Sequence, residues 1–462
     1  MSRSQPPSPG LAARSTMQRQ FHPTRIVPLA FLAAIALGTL VLMLPFSTVD
    51  GQGAGFMTAL FTATSAICVT GLIVVDTPTY WSGAGQAAIL LMIKIGGLGI
   101  MTAATLLGLV AGRRLSLSSR AVALTEHGHL NRAEAASLLK LIFVVSVAIE
   151  AVIAFSLWLR WWIGHGMAPA EAAWHAVFHA VSAFNNAGFS TFSDNLMSWH
   201  RDGAILLPIM LAIVIGGIGF PVLHEIWTRR DPARRQRPWS LHSRLTITTT
   251  LVLLIGGTVL MLAAEWSNPA TFGAMTPGER VLGAAFHSVS MRTAGFNAID
   301  IGGIANPSYL VNFLFMMIGG GSAGTAGGLK VTTFAVLGYV VWSEIRGHAD
   351  TNLFGRRLGA AVVRQAVSVA LLAIALIGMA GFVLTMLEPA IAPHKLLFEA
   401  ISAFATVGLS ANITALLSTP SQLVLVLLMF VGRVGTITFA TALALAARSN
   451  HYRYPEEQPI VG

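Results

Sequence analysis

The chain has 462 residues, of which 54% are hydrophobic and only 10% charged, and its mean hydropathy is +0.70; soluble domains carry roughly 25% charged residues, so an ordinary soluble globular protein is excluded. The net charge of +10 would suggest a nucleic-acid partner in a soluble chain, but here the basic residues sit in short loops between apolar segments, which is an orientation signal for a membrane protein. A single cysteine, Cys68, excludes an internal disulfide framework and any multi-cysteine metal site.

In chain order, residues 1–24 are rich in Pro, Ser and Arg and read as a flexible cytoplasmic tail. Four tandem repeats are predicted at 25–112, 113–228, 229–343 and 344–448, followed by a second cytoplasmic tail at 449–462. Each repeat carries one phrase: FTATSAICVTGL from Phe61, FHAVSAFNNAGF from Phe178, FHSVSMRTAGF from Phe286 and FEAISAFATVGL from Phe398. Every copy reads Phe, Ser four residues on, then Gly followed by Leu or Phe, with the third copy one residue shorter between Ser290 and Gly295. The glycines Gly71, Gly188, Gly295 and Gly408 are spaced 117, 107 and 113 residues apart.

A spanning helix needs about 20 apolar residues. Such helices are predicted on both sides of each phrase, at 26–46 and 84–110, 138–163 and 203–227, 245–265 and 309–342, and 360–387 and 420–447. The Phe-to-Ser segments are too short to span and predict re-entrant half-helices. The expected fold is an all-α membrane protein of four tandem helix–pore loop–helix repeats, with pseudo-fourfold symmetry around one pore. A second glycine phrase echoes in the later helices, IGGLG at Ile95, IGGIG at Ile215, IGGGSAG at Ile318 and VGRVG at Val431. In the first two copies it predicts close helix packing. The third holds Gly319, Gly320, Gly321, Gly324, Gly327 and Gly328, too many for a continuous helix, so a mid-membrane break is expected there. A phosphate-loop reading fails, because Leu329 separates Gly328 from Lys330 and no strand precedes.

Of 29 Lys and Arg residues, 21 fall before the four repeats and after the last, and only Arg160, Arg201, Arg280 and Lys395 fall in the opposite loops. Both termini are therefore expected in the cytoplasm, with the glycine phrases opening to the outside.

A cation crossing hydrocarbon must exchange its water shell for fixed oxygens, and only non-helical backbone lining a cavity has carbonyls free to supply them. A half-helix followed by an extended, glycine-containing stretch provides such backbone, and the negative C-terminal ends of the half-helices favour a cation. The candidate filter is Cys68, Val69, Thr70 and Gly71 in the first copy; Asn186, Ala187 and Gly188 in the second; Thr293, Ala294 and Gly295 in the third; Thr406, Val407 and Gly408 in the fourth. Asp76, Asp194 and Asp300 follow the glycines by five or six residues and are candidates for an acidic outer mouth, or for solvated loop acids.

Through ATSAICVTGLIVVDT, NNAGFS, RTAGFN, ATVGLS, the GGSAGTAGGLK stretch and the GRVG arginine, the chain from about Arg25 to Arg448 resembles the Trk/Ktr/HKT superfamily of potassium transporters, and most of all the membrane subunit of its Ktr branch. The resemblance implies potassium (K+) uptake across a bacterial inner membrane, with sodium (Na+) as a second ion, and no enzymatic activity. It also implies a homodimer with a pore in each subunit, bound from below by a cytosolic nucleotide-binding regulatory ring of the KtrA/TrkA type; membrane lipid is the remaining partner, and nucleic acid is not one. The family's gating loop maps to about Gly319–Thr333, including Lys330, and its gate arginine to Arg433.

Arg433 is thus expected to act as a positive barrier in the cation path, with an ion pair to Glu150 or another acid as the alternative. Lys94 is a similar intramembrane cation whose role is not assigned. Arg292 is expected to hold the third loop in place. His175 and His179 stand one turn apart without a third ligand and read as a polar helix face, and Glu171 and Glu399 read as acids at helix N-termini. A rival design, a secondary transporter with a midplane substrate site at broken helices, predicts paired or inverted repeats rather than four copies in one orientation.

Overall fold

The computed structural model describes residues 23–112, 132–231, 238–348 and 350–435. The tails expected at 1–24 and 449–462 lie outside these residues, apart from the start of the first helix, and so does the end of the helix expected at 420–447.

The chain is predominantly helical. Its elements are α1 (Pro23–Leu42), α2 (Phe56–Ile67), α3 (Gly83–Gly112), α4 (Arg132–Leu159), α5 (Pro169–Phe184), α6 (Gly203–Ile218), α7 (Phe220–Thr228), α8 (Leu241–Glu265), α9 (Pro277–Ser290), α10 (Asn306–Met317), α11 (Val331–Ile345), α12 (Ala360–Leu387), α13 (Pro393–Ala405) and α14 (Thr419–Phe430). A two-residue hairpin, Asn352–Leu353 against Arg356–Arg357, joins α11 to α12.

The segments Lys140–Gly164, Leu241–Glu265 and Ala360–Leu387 are long and apolar enough to cross a membrane. Their outward flanks expose large apolar side chains, among them Val152 and Phe155 on α4, Val252 and Ile255 on α8, and Phe382 and Met386 on α12. Such flanks suit hydrocarbon and would be a liability in water.

The four short helices α2, α5, α9 and α13 contain the repeated phrases. Three of them begin with proline at their first positions, Pro169, Pro277 and Pro393, where the missing N–H costs nothing and the fixed φ suits a helix start. Thr276 and Glu279 add a capping box to α9. Each short helix packs on the long helix before it, α1, α4, α8 or α12, and on a helix from elsewhere in the chain: α2 on α14, α5 on α3, α9 on α6 and α13 on α10. These contacts close a circle. The phrase phenylalanines Phe61, Phe178, Phe286 and Phe398 are all buried in it.

Glycine breaks two of the expected helices, one as predicted and one not. The break between α10 and α11 falls where six glycines predict it, and a parallel bridge of Ile318 to Leu329 closes the intervening loop. The helix expected at 203–227, however, is not continuous: α6 and α7 meet at a 97° bend. Gly219 makes the bend at φ 98°, a conformation that side chains disfavour, and a Cβ there would strike the carbonyl oxygen of Ser322. The bend therefore seats the loop between α10 and α11.

Candidate functional site

Where each short helix ends, the backbone turns left-handed twice. Val69 and Gly71 have φ 55° and 93°, Asn186 and Gly188 59° and 70°, Thr293 and Gly295 72° and 77°, Thr406 and Gly408 51° and 94°. The residue between each pair does not share this sign. Alternating handedness sends successive carbonyls to the same side of the chain, whereas a regular strand alternates them. Val69, Thr293 and Thr406 are β-branched, and such residues in this region are true outliers that only surrounding structure can hold. Cys68 does not belong to the alternation: it is the right-handed C-cap of α2, at φ −77°, and is fully buried behind the stretch. In the third copy the missing residue is lost from the helix end, with Met291 as cap, and the Thr293–Gly295 alternation is kept.

The four glycines meet. A Cβ on Gly71 would strike the carbonyl oxygen of Ala187; on Gly188, that of Ala294 at 2.7 Å; on Gly295, that of Val407 at 2.5 Å; and on Gly408, that of Thr70. Each clash is with the residue preceding the next glycine in chain order, and the fourth leads back to the first. Glycine is thus required twice at each position, for φ and for room.

The phrase serines hold these stretches. The residue before each glycine donates its N–H to the serine carbonyl: Thr70 to Ser65 at 2.7 Å, Ala187 to Ser182 at 2.8 Å, Ala294 to Ser290 at 2.9 Å and Val407 to Ser402 at 2.8 Å. The hydroxyls add a second tie. Ser65 and Ser402 accept from the glycine N–H of Gly71 and Gly408 at 3.0 and 3.1 Å, while Ser182 and Ser290 donate to the carbonyls of Phe189 and Phe296. The regular Phe-to-Ser spacing signalled this role, although sequence alone assigned the serine none.

Outside the ring lies a cavity of about 250 Å³ lined by all four glycines together with Asp76, Asp194 and Asn412. The acids do not form a free carboxylate ring. Asp76 accepts from Ser193 Oγ at 2.7 Å, Asp300 from Asn412 Nδ2 at 2.7 Å and Asp194 from the Ser198 N–H at 2.8 Å. Asp76 and Asp300 thereby tie neighbouring copies together, and Asp300 is not among the lining residues.

On the side of the ring opposite this cavity, the loop between α10 and α11 packs against three of the stretches. Thr325 Oγ1 donates to Asn186 Oδ1 at 3.0 Å and to the Phe184 carbonyl at 3.2 Å. Arg292 Nη2 donates to the Gly319 carbonyl at 2.9 Å, and a Cβ on Gly327 would strike Thr406 Oγ1. The loop is fastened below by Gly321 and Thr325, whose N–H groups donate to the carbonyls of Gly217 and Gly216 at 2.8 and 3.1 Å. Gly320 and Gly324 pack against the same Gly217 carbonyl, Gly328 faces Ala405, and Lys330 Nζ donates to the Ala326 carbonyl at 2.6 Å.

Arg433 lies in a single π-helical turn after α14, Val431–Gly435, and is buried. Its Nη1 donates to the carbonyl of Thr325. Its Nε and Nη2 have no hydrogen-bond partner among the described residues. Glu150 does not pair with Arg433. It pairs with Lys94, whose Nζ lies 2.6 and 2.7 Å from the two carboxylate oxygens, so the unassigned lysine acquires a partner from another repeat.

A model of the TrkH family, described as a cation transport protein, matches residues 10–453. The chain belongs to this family. Among its relatives, the Ktr system potassium uptake protein B of Bacillus subtilis is 36% identical, across 96% of this chain and 97% of that protein. The protein of the same name from Vibrio alginolyticus is 37% identical across 95% and 94%. The potassium/sodium uptake protein NtpJ of Enterococcus hirae is 34% identical across 97% and 99%. Among solved structures, the potassium transporter TrkH from Vibrio parahaemolyticus superimposes with a TM-score of 0.72, covering 91% of this chain and 84% of that one at 18% identity. That last likeness is one of fold.

The remaining polar candidates make hydrogen bonds within the fold. His175 Nδ1 lies 2.6 Å from Thr191 Oγ1, and His179 Nε2 lies 2.9 Å from Ser190 Oγ. No group of three His, Cys, Asp or Glu placed to hold a metal exists among the described residues. Glu171 stands in the first turn of α5 as expected. Glu399 does not cap a helix start: it lies mid-α13 and accepts from Ser410 Oγ at 2.6 Å, the Ala411 N–H at 3.0 Å and Thr414 Oγ1 at 2.8 Å. His179 and Glu399 each follow the phrase phenylalanine, and each braces the serine two residues after its glycine.

Proposed function

We propose that this protein takes up potassium across a bacterial inner membrane, through a pore framed by four helix–pore loop–helix repeats in pseudo-fourfold array. The repeats run 25–112, 113–228, 229–343 and 344–448, with both termini cytoplasmic. The observation that carries the reading is the closed ring of Gly71, Gly188, Gly295 and Gly408, each preceded two residues earlier by a left-handed residue. Carbonyls turned one way around a ring can replace the hydration shell of a monovalent cation. The C-terminal ends of α2, α5, α9 and α13 add partial negative charge at the same place.

Membership of a cation-transport family, and the names of the relatives, support potassium as the main ion. The name of the Enterococcus hirae relative, potassium/sodium uptake protein, supports sodium as the second. The loop from Gly319 to Lys330 together with Arg433 is the gate in this reading: it lies against the inner ends of the stretches, and Arg433 places a buried positive charge beside it. A homodimer and a cytosolic nucleotide-binding ring that acts on the loop complete the proposal.

The test is substitution of the ring glycines. Gly71→Ser, Gly188→Ser, Gly295→Ser and Gly408→Ser each force a Cβ into a neighbouring carbonyl and a side chain to positive φ, a strain of about 1–3 kcal/mol. Potassium flux into vesicles should fall, or lose its preference over sodium by about tenfold. Unchanged discrimination in all four variants would overturn the filter.

A further inference from the structure

The residue just before each left-handed start differs. In the first, third and fourth copies it is Cys68, Arg292 and Ala405; in the second it is Asn185, fully buried, the right-handed C-cap of α5 at φ −83°. Asn185 Nδ2 donates to Glu150 Oε1 at 3.1 Å and to the Val181 carbonyl at 2.8 Å. Glu150, on α4, is itself buried and takes both carboxylate bonds from Lys94 on α3, which also donates to Ser146 Oγ at 2.9 Å. The Lys94 ammonium lies 5.9 Å from the ring centres of Phe143 and Phe184. A Cβ on Gly97 would strike the Asn185 side chain, so the second glycine of IGGLG leaves the space that the amide fills.

An ion pair with a buried carboxylate and a part-buried lysine is a costly way to join two apolar helices. Apolar pairs of similar volume commonly serve stability as well or better, and ionisable groups at such depth mark function by default. This pair connects the last long helix of one repeat, the first of the next and the end of α5. The residue after Asn185 is Asn186, the left-handed start of the second stretch, whose own Oδ1 accepts from the loop threonine Thr325 at 3.0 Å. We infer that Lys94, Glu150 and Asn185 form a positioning network that sets the second filter stretch, and hence ion discrimination, through the Glu150–Asn185 hydrogen bond. Lys94 acts by holding the Glu150 carboxylate in place. None of the three touches the ion, and the inference rests on the filter reading given above.

The experiment compares potassium and sodium flux into vesicles for Lys94→Met/Glu150→Leu, Lys94→Met/Glu150→Gln, Asn185→Leu and Gly188→Ser, each with its thermal midpoint in detergent. The double variant with leucine removes the pair and the acceptor together, leaving no unpaired charge. Its potassium/sodium discrimination should fall by about three- to tenfold, the scale of one lost hydrogen bond, without a matching fall in midpoint. The glutamine variant, which keeps an acceptor for Asn185, should restore most of that loss. Asn185→Leu, which leaves the ion pair intact, should reproduce it even where a double variant fails to fold. Wild-type discrimination in folded Asn185→Leu or in the leucine double variant, alongside altered discrimination in Gly188→Ser, would overturn the network and leave the filter standing. Unaltered discrimination in Gly188→Ser as well, and in the Gly71, Gly295 and Gly408 serine variants, would remove both.

Discussion

Arg433 is the residue with the largest expected effect on rate. Two properties act in one direction: its guanidinium ties the loop through the Thr325 carbonyl, and in the proposed reading its positive charge stands near the cation's route. A unit charge about 4 Å from the ion opposes it by on the order of 4 kcal/mol at an effective dielectric of 20. Arg433→Ala should therefore pass potassium at least about tenfold faster, measured as initial flux into vesicles at equal protein density. A slower variant with a normal thermal midpoint would make the arginine a structural strut. At this scale the sequence was partly legible. The ring glycines announce themselves by recurrence, but the left-handed backbone of Val69 and Thr406 does not, since β-branched residues resist it and only neighbouring serines and packing impose it. The partner of Lys94 was equally hidden: Glu150 lies 56 residues away, and no local periodicity links them.

Among the elements, the break between α10 and α11 was visible because six glycines cannot sustain a helix, whereas the Gly219 bend rests on one glycine followed by Pro221. That Gly–Phe–Pro order was the available signal, as proline suits a helix's first turn and not its interior. The loop depends on both features, being clasped between the bent α6–α7 junction and the ring. Deleting Gly321–Gly327 removes its bonds to Gly217, Gly216 and Asn186, so potassium flux should rise and cease to respond to a regulatory partner. Abolished flux in a folded deletion would make the loop a support for the ring.

A second element-level expectation concerns the junction of α4 with α6. Asp202 caps α6, accepting from the Ala204 N–H at 2.9 Å, and also accepts from Arg160 Nε and lies against His165 Nε2, both at 2.7 Å. Burial pushes its pKa up, but the bonds from His165 and Arg160 outweigh that and hold the carboxyl below its ordinary value. A lowered carboxylate pKa stabilises the fold above the unfolded value, about 3.9, and the contribution disappears as pH falls through the folded one. Asp202→Asn should thus lower the thermal midpoint at pH 7, with the deficit shrinking below about pH 4. An equal deficit at both pH values would assign the effect to side-chain geometry rather than to the carboxylate charge.

For the whole molecule, one chain supplies four similar but unequal quarters, and the inequality carries information. The stretches share the alternating backbone and the serine brace, while the groups behind them differ: Cys68 in apolar packing, Asn185 on an ion pair, Arg292 on the loop and Ala405 against Gly328. The four recurring phrases made the ring glycines legible, because each of these stretches adopts the same backbone geometry. What distinguishes the quarters arises from contacts between distant helices, which no single phrase encodes. The central claim, a ring that selects among monovalent cations, is tested most directly by flux of potassium, rubidium, sodium and lithium into vesicles holding only the purified protein. Potassium and rubidium should pass at similar rates, well ahead of sodium and lithium; equal rates for all four ions, or no flux of any, would rule out a selective ring.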